Sequence, residues 1–366
     1  MNNKENFMTT NQNLKELRVN IDKLDEQIQS LITERAQIAK QVAQAKSKEE
    51  NQQIYRPKRE AEVLRNVITR NQGPLPDKVL TQIFREIMSG CLALQKPLKL
   101  AFLGPAGTYS QAAVVKHFGH SGQTMPQQTI SEVFREVEAG TAQYGVVPIE
   151  NSTEGGVNET LDCFLNTPLK ICGEIELPIH HHLLSMSSEF GQIKRIYAHQ
   201  QSLAQCRGWL DSNLPLIECQ AVNSNAEAAQ RVTTEKTAAA IASQTAAEIY
   251  DLQIVASRIE DNVNNVTRFA VIGQQNVPPT GMDKTSLLLS NSNQPGTLYR
   301  LLEPFNQNKV NMTRIESRPT RQSMWEYVFF IDIEGHIEDV PISKAMQALE
   351  NHTSLLKHLG SYPCSI

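Results

Sequence analysis

The chain has 366 residues, enough for two or three domains, and a net charge of −4, which excludes a global basic field that would recruit nucleic acid. Any anionic substrate must therefore be met by local clusters of Arg and Lys. Six cysteines, Cys91, Cys163, Cys172, Cys206, Cys219 and Cys364, form no CxxC pair and suit reduced thiols in a cytoplasm, not a disulfide framework or a zinc site. No apolar run is long enough to span a bilayer, and the polar start MNNKENFMTTNQN lacks the apolar core of a signal peptide. Disorder is expected for the first ten residues.

Apolar residues then recur at Leu14, Leu17, Ile21, Leu24, Ile28, Leu31, Ile38, Val42 and Ala45, with no Pro or Gly between residues 14 and 46. The spacing is that of a heptad seam and predicts one helix of roughly 50 Å that cannot bury its stripe alone. The seam position after Ile28 is Arg35, which is either a polar register device or a ligand group. Lys46 falls on nearly the same face, about three turns later. Arg18 lies about 25 Å from Arg35 along the axis, so one chain cannot bring both to one small ligand, whereas two antiparallel copies can. Arg56-Pro57-Lys58-Arg59-Glu60 opens a second helix with Glu60, Val63, Leu64 and Val67 on one side. After the turn Gly73-Pro74-Leu75-Pro76 a third helix is expected from Asp77 to about Leu94, ending near Gln95.

Residues 10–96 resemble the all-helical chorismate mutase domain, on the stretches LRVNIDKLDEQIQSLITERAQIAKQVAQAK, YRPKREAEVL and IFREIMSGCLALQ. The resemblance implies an intertwined dimer in which Arg18 reaches the other copy's site. It implies that Arg35 and Arg18 hold substrate carboxylates, that Lys46 and Gln95 bond the ether oxygen, and that Glu60 bonds the substrate hydroxyl, with Arg59 in support. Cys91 stands where some members carry Ser and Arg56 where some carry Asp, and the resemblance implies peripheral substrate contacts at both positions. The residue types fit the chemistry. Chorismate is a dianion that rearranges without a nucleophile, so the site must hold a compact conformer and stabilise charge on the ether oxygen.

Gln95-Lys96-Pro97 marks a linker, and Leu98–Leu103 reads as a strand. The Gly-rich turn Gly104–Ser110 and a helix from Gln111 to Phe118 follow, an arrangement that makes Thr108 and its neighbours a candidate anion site without a Walker motif. A helix from Ser131 to Ala139 precedes a strand Tyr144–Ile149. Glu150-Asn151-Ser152 and the residues after it read as a polar loop opening a helix through Leu165, and Asn151, Ser152 and free backbone N–H groups could bind a carboxylate there. Strands Ile171–Leu177, His182–Ser185 and Ile196–His199 follow, then helices at Ala204–Leu210, Ala226–Val232 and Ala238–Ile249. The alternation predicts a mostly parallel sheet in each of two lobes. His180-His181-His182 does not read as a metal site, because adjacent strand residues point to opposite faces. Thr267-Arg268-Phe269 with the apolar run Ala270-Val271-Ile272 places a hydroxyl and a guanidinium where a strand enters its sheet.

Residues 98–275 resemble prephenate dehydratase, with five separated motifs in order: GPAGTYS, GVVPIENSTEGGVNETLD, LPIHHHLL, HQQSLAQC and NNVTRF. Gln200 departs from the Pro found in many members. The resemblance implies two lobes around a cleft, Thr267 as the essential residue and Arg268 as a group holding prephenate. Threonine is a poor Brønsted acid near neutrality, so Thr267 reads as a positioned hydrogen-bond donor to the leaving hydroxyl, with Glu150 and then His199 as further candidates in acid chemistry. No cofactor or metal is expected.

Val277-Pro278-Pro279-Thr280-Gly281 is a second linker. Beyond it the order β-α-β-β-α-β predicts a ferredoxin-like α+β unit over 283–363, which as a bare fold could be a dimerisation module. NQPGTLYRLLEPF and RIESRP resemble the ACT regulatory domain, and the resemblance implies phenylalanine bound at a dimer interface by Asn293, Gly296, Leu298, Glu316, Ser317, Arg318 and Pro319. The whole reading is a multidomain enzyme: an all-α unit at 9–96, a two-lobed α/β unit at 98–275 and the α+β unit. The expected partners are chorismate, prephenate, phenylalanine and further copies of the chain, without nucleic acid or membrane. An amino-acid receptor with two lobes is the rival from another class; the hydroxyl of Thr267 and the helical charge set argue against it.

Overall fold

The computed structural model describes residues 2–46, 55–187, 189–291, 294–319, 327–350 and 352–366; in the first helix it describes side chains from Leu14 to Ala45. Helix α1 (Asn2–Lys46) starts at Asn2, not after the expected disordered first ten residues. No Pro or Gly interrupts the chain there, so propagation costs little once the helix exists. Its seam is open: Leu17, Ile21, Leu24, Ile28 and Leu31 are 54–64% exposed. Near its C-terminal end α1 meets α3 (Asp77–Ala93), which pairs with α2 (Pro57–Arg70), whose buried side is Ala61, Leu64 and Val67. Pro57 fits the first helical position because its missing N–H has no intrahelical partner to lose.

The first lobe holds β1 (Lys99–Leu103), α4 (Tyr109–Phe118), β2 (Gln123–Gln127), α5 (Ile130–Glu138), β3 (Tyr144–Asn151), β4 (Gly155–Gly156), α6 (Asn158–Asn166) and β5 (Lys170–Pro178). The second lobe holds β6 (His182–Ser185), β7 (Arg195–His199), α7 (Gln200–Gln205), α8 (Arg207–Asn213), β8 (Glu218–Val222), α9 (Asn225–Val232), β9 (Ala238–Ala242), α10 (Gln244–Tyr250) and β10 (Gln253–Ala256). The chain then returns to the first lobe as β11 (Val266–Gly273).

The sheet orders are β2-β1-β3-β11-β5, with β4 on β3, and β10-β6-β9-β7-β8. Both sheets are mixed, which corrects the expectation of mostly parallel ones. The returning strand β11 runs antiparallel to β3 and β5, while β1 is parallel to β2 and β3. In the second sheet β6 is antiparallel to β9 and β10. Strands that link two lobes need no helical crossover and can pair antiparallel. A second correction concerns Ala238–Ala242, expected to be helical. It is a fully buried central strand, where burial between two strands overrides the helix preference of Ala. The unforeseen strands β2, β8 and β10 are all edges, and Pro126 in β2 fits only an edge. A third correction concerns residues 150–157. The helix they lead into is present as α6, but the polar loop itself is partly strand: β3 runs through Asn151 and turns back as β4 before α6 starts at Asn158.

The last unit comprises β12 (Asp283–Asn291), α11 (Thr297–Gln307), β13 (Met312–Pro319), β14 (Tyr327–Glu334), α12 (Val340–Glu350) and β15 (Leu355–Pro363), in the predicted order. Its antiparallel sheet, β13-β14-β12-β15, is covered on one face by α11 and α12 through Leu287, Leu289, Leu301, Phe305 and Leu349. The other face shares a core with the first lobe: Leu288, Phe330, Leu359 and Tyr362 pack with Phe134, Leu161, Phe164 and Ile171. Gly360 permits this approach, since a Cβ there would lie 2.2 Å from the Ile171 carbonyl oxygen.

Candidate active sites

Strands β3 and β11 bring Asn151 opposite Thr267 and Glu150 opposite Arg268. The Asn151 side chain donates from Nδ2 to Thr267 Oγ1 at 2.8 Å and to Asn265 Oδ1 at 2.9 Å. Its Oδ1 accepts from the Thr153 backbone N–H at 3.0 Å and from Thr153 Oγ1 at 2.5 Å. A backbone N–H can only donate, so this bond fixes which end of the Asn151 amide is oxygen. Thr267 Oγ1 is thereby an acceptor from Asn151, and its own hydrogen is left to donate elsewhere.

The network runs on into the second lobe. Asn265 Nδ2 donates to Gln205 Oε1 at 3.4 Å, Gln205 Oε1 lies 2.8 Å from His181 Nε2, and His181 Nδ1 lies 2.8 Å from the Tyr109 hydroxyl. Burial lowers the pKa of His181, against the opposing influence of Gln205 and Glu260. Burial also disfavours the charge on Glu260, yet hydrogen bonds from His180 and the His181 N–H hold its carboxyl below the usual range. Gln205, His181, Asn265 and Tyr109 all lie inside the motifs quoted above. The sequence carried no signal that they would join, because they come from four separate segments.

Other expected ligand groups are engaged in local structure. Thr108 caps α4, accepting from the Gln111 N–H and donating to the Leu103 carbonyl. Ser152 is bound into the turn, its N–H to Val266 O at 2.9 Å and its Oγ accepting from the Val266 N–H at 3.0 Å, so the expected carboxylate-binding N–H cluster is already spent. His199 precedes α7, and its N–H is bonded to Asn225 Oδ1. Arg268 and Glu150 are also displaced from expectation. Arg268 Nη1 pairs with Glu150 at 3.4 Å, Nε with Glu174 at 3.4 Å, and Nη2 with Asp332 of β14. Adjacent strand residues face opposite ways, so Arg268 looks away from the Thr267 hydroxyl and towards the last unit.

In the helical unit Arg35 Nη1 donates to Cys91 Sγ at 3.0 Å, and Gln95 Nε2 to the Ala39 carbonyl at 3.4 Å. These bonds gather Arg35, Cys91 and Gln95 between α1 and α3. The Lys46 side chain lies outside the described residues. Arg18 is exposed on the distant part of α1. Glu60 is turned elsewhere: its carboxylate lies 3.5 Å from Arg85 Nε, and burial pushes its pKa up to about 7 against the attraction of Arg85. It lines a cavity with Tyr55, Arg85, Lys116, His117 and Glu174, which Arg35 and Gln95 do not reach. Arg59 pairs with Glu62 at 3.3 Å on the surface, and Arg56 is exposed.

In the last unit, Asn291, Gln294, Gly296, Leu298, Tyr327 and Phe329 line a cavity of about 240 Å³. Gly296 and Leu298, expected at the phenylalanine site, both line this cavity, while Asn293 lies outside the described residues. Glu316, Ser317, Arg318 and Pro319 lie on β13 and do not line this cavity. Arg318 pairs with Asp162 of α6 at 3.0 Å and bonds Asn158, and Glu316 pairs with Arg314.

Family models match in three consecutive stretches: chorismate mutase type II over residues 17–96, prephenate dehydratase over 100–277 and the ACT domain over 285–351. A bifunctional chorismate mutase/prephenate dehydratase of Stutzerimonas stutzeri is 53% identical, over 96% of this chain and 98% of that one. The solved prephenate dehydratase of Arthrobacter aurescens, in complex with L-Phe, is 35% identical with a TM-score of 0.68, over 73% of this chain and 90% of that one. A solved quorum-quenching acylase is 32% identical, also with a TM-score of 0.68, over 73% of this chain and 98% of that one. By sequence along its whole length and by fold over the two later units, the chain belongs to the bifunctional chorismate mutase/prephenate dehydratase family.

Proposed function

We propose that the chain rearranges chorismate to prephenate and then converts prephenate to phenylpyruvate, under feedback inhibition by phenylalanine, with units at 9–96, 98–275 and 283–363 carrying the three tasks. The single observation that carries the dehydratase assignment is the Asn151–Thr267 hydrogen bond between β3 and β11. Prephenate loses its ring hydroxyl as water and its ring carboxylate as CO₂, and one proton is taken up. The electron pair of the breaking C–C bond enters the ring as the C–O pair leaves with oxygen. With its lone pair engaged by Asn151, Thr267 donates its hydrogen bond to that leaving oxygen, which becomes more basic in the transition state. One such donor is worth about 3–4 kcal/mol, or 10²–10³ in rate.

The acylase alternative needs a nucleophile whose proton goes to a base. Among the described residues the hydrogen-bond partner of Thr267 Oγ1 is the Asn151 amide, which donates to it, so the geometry favours dehydration.

For the mutase, Arg35, Gln95 and Lys46 of one chain with Arg18 of a second copy form the proposed site. The open seam of α1 supports pairing with another α1. Glu60 is committed to Arg85 within the single chain, so a bond to the substrate hydroxyl requires that carboxylate to exchange partners. Phenylalanine is assigned to the cavity beside Gly296 and Leu298. The active species is taken to be a cytoplasmic dimer or higher oligomer. Thr267→Ala tests the central assignment: phenylpyruvate formation should vanish while chorismate is still turned over, and retained dehydration would refute it. A related rival is dehydration of arogenate, the amino-acid counterpart of prephenate, and parallel assays with the two compounds separate them.

A further inference from the structure

Besides the Arg318–Asp162 pair to α6, three ion pairs cross between the first lobe and the last unit from strand to strand. Arg268 meets Asp332, Glu150 meets Arg314 at 3.1 Å, and Glu174 meets Lys284 at 2.7 Å. The lobe's three members sit on β11, β3 and β5, which are neighbours in its sheet. Their partners sit on β14, β13 and β12, which are neighbours in the other sheet. Two of the lobe's strands are those that carry Thr267 and Asn151. The seam is largely closed to water, with side-chain exposures of 12% for Arg268, 2% for Glu174 and 5% for Asp332. Asp332 is itself anchored by the Ser286 hydroxyl, which also bonds the Tyr362 hydroxyl at 2.8 Å. Strand β14 reaches the phenylalanine cavity as well, through Tyr327 and Phe329.

We infer that Arg268 is a positioning residue that acts through Asp332: it holds β11 so that the Thr267 hydroxyl stays aimed at the leaving oxygen, and it does not touch prephenate. The geometry carries this. The guanidinium lies against three carboxylates on the sheet face opposite the Thr267 hydroxyl, which aims it at the last unit and away from the cleft. Removing one partner of a buried pair leaves an uncompensated charge, and the strand shifts to relieve it. A small displacement of a catalytic donor is enough to cost rate without costing substrate affinity.

The inference rests on Thr267 being the reacting donor, and its test is separable from that reading. Asp332 lies in the last unit, where it cannot contact prephenate directly. Asp332→Asn, Arg268→Gln and the double variant are assayed as full chains for dehydratase kcat and KM, with mutase turnover on the same preparations as the folding control. The expected result is a fall in kcat of about tenfold or more in each single variant with KM nearly unchanged, a double variant no worse than the poorer single, and partial recovery with Arg268→Lys. A wild-type kcat in Asp332→Asn overturns the inference, whatever Arg268→Gln does. A rise in KM confined to the Arg268 variants also overturns it and returns Arg268 to the substrate. Should Arg268→Gln fail to fold, Asp332→Asn decides alone. Retained turnover in Thr267→Ala would instead sink the assignment on which the inference rests.

Discussion

The amide of Asn151 donates to the hydroxyl of Thr267 across a register pair of β3 and β11, and the backbone N–H of Thr153 fixes the direction of that bond. The direction in which the Thr267 hydroxyl can donate is therefore set by the polarity of its neighbour.

Asn151→Asp should reverse that polarity. A carboxylate only accepts, so it draws the Thr267 proton away from the leaving oxygen. Phenylpyruvate formation should fall about 10²-fold or more, comparable to Thr267→Ala. Asn151→Ala, which removes the donor without capturing the proton, should lose less. Equal turnover in the Asp and Ala variants would show that direction is irrelevant.

The mutase should complement between chains. Arg18→Ala and Lys46→Ala should each abolish chorismate turnover without dissociating the dimer. Mixed and re-equilibrated, they should regain roughly a quarter of wild-type activity, since half the dimers are mixed and one of the two sites in each is intact. No recovery on mixing would place Arg18 and Lys46 in the same chain's site, or in none.

Acid should weaken the joint between the helical unit and the first lobe. His117 Nε2 lies 2.7 Å from the Tyr55 hydroxyl, and burial, reinforced by Arg85 and Lys116, lowers its pKa to about 3. The unfolded chain takes up this proton near pH 6.5 and the folded chain does not. The contribution is therefore complete above about pH 6.5 and is lost as pH falls from there towards 3, by about 2 kcal/mol at pH 5. His117→Gln should flatten the fall of Tm between pH 7 and pH 5, as read by calorimetry. An identical fall in both proteins would contradict the assignment.

Phenylalanine sensing should be sensitive to Gly296. Its φ of 80° lies in the left-handed region, and an added Cβ would meet Arg300 Nη1 at 3.3 Å. Gly296→Ala therefore strains the cavity wall by about 1–2 kcal/mol, and the phenylalanine concentration for half-inhibition should rise about tenfold. Titration calorimetry with phenylalanine gives the same answer independently of turnover. An unchanged affinity would move the ligand elsewhere.

Much of this molecule was legible in its residues. The period of α1, the Pro57 and Asp77 starts of α2 and α3, and the β-α-β-β-α-β order of the last unit follow from spacing and turn chemistry. The reading failed where long-range pairing decides. Ala238–Ala242 has a helical composition and becomes a strand because β6 and β7 flank it. Arg268 was grouped with Thr267 because they are adjacent. The period-two argument that dismissed the histidine triplet as a metal site applies equally to this pair, and would have sent Arg268 to the other face.

The sequence by itself determined three units and their families, and it pointed to the Thr267 hydroxyl as the candidate centre of the dehydratase, because local periodicity and motif chemistry are written in neighbouring residues. Only the tertiary structure decided what surrounds that hydroxyl. Asn151 and Gln205 come to it from distant segments through strand register and lobe closure, and Arg268 is drawn to Asp332 because the two sheets stack. Those contacts join residues between 60 and 116 positions apart, and no local pattern encodes which face of a strand will meet which domain.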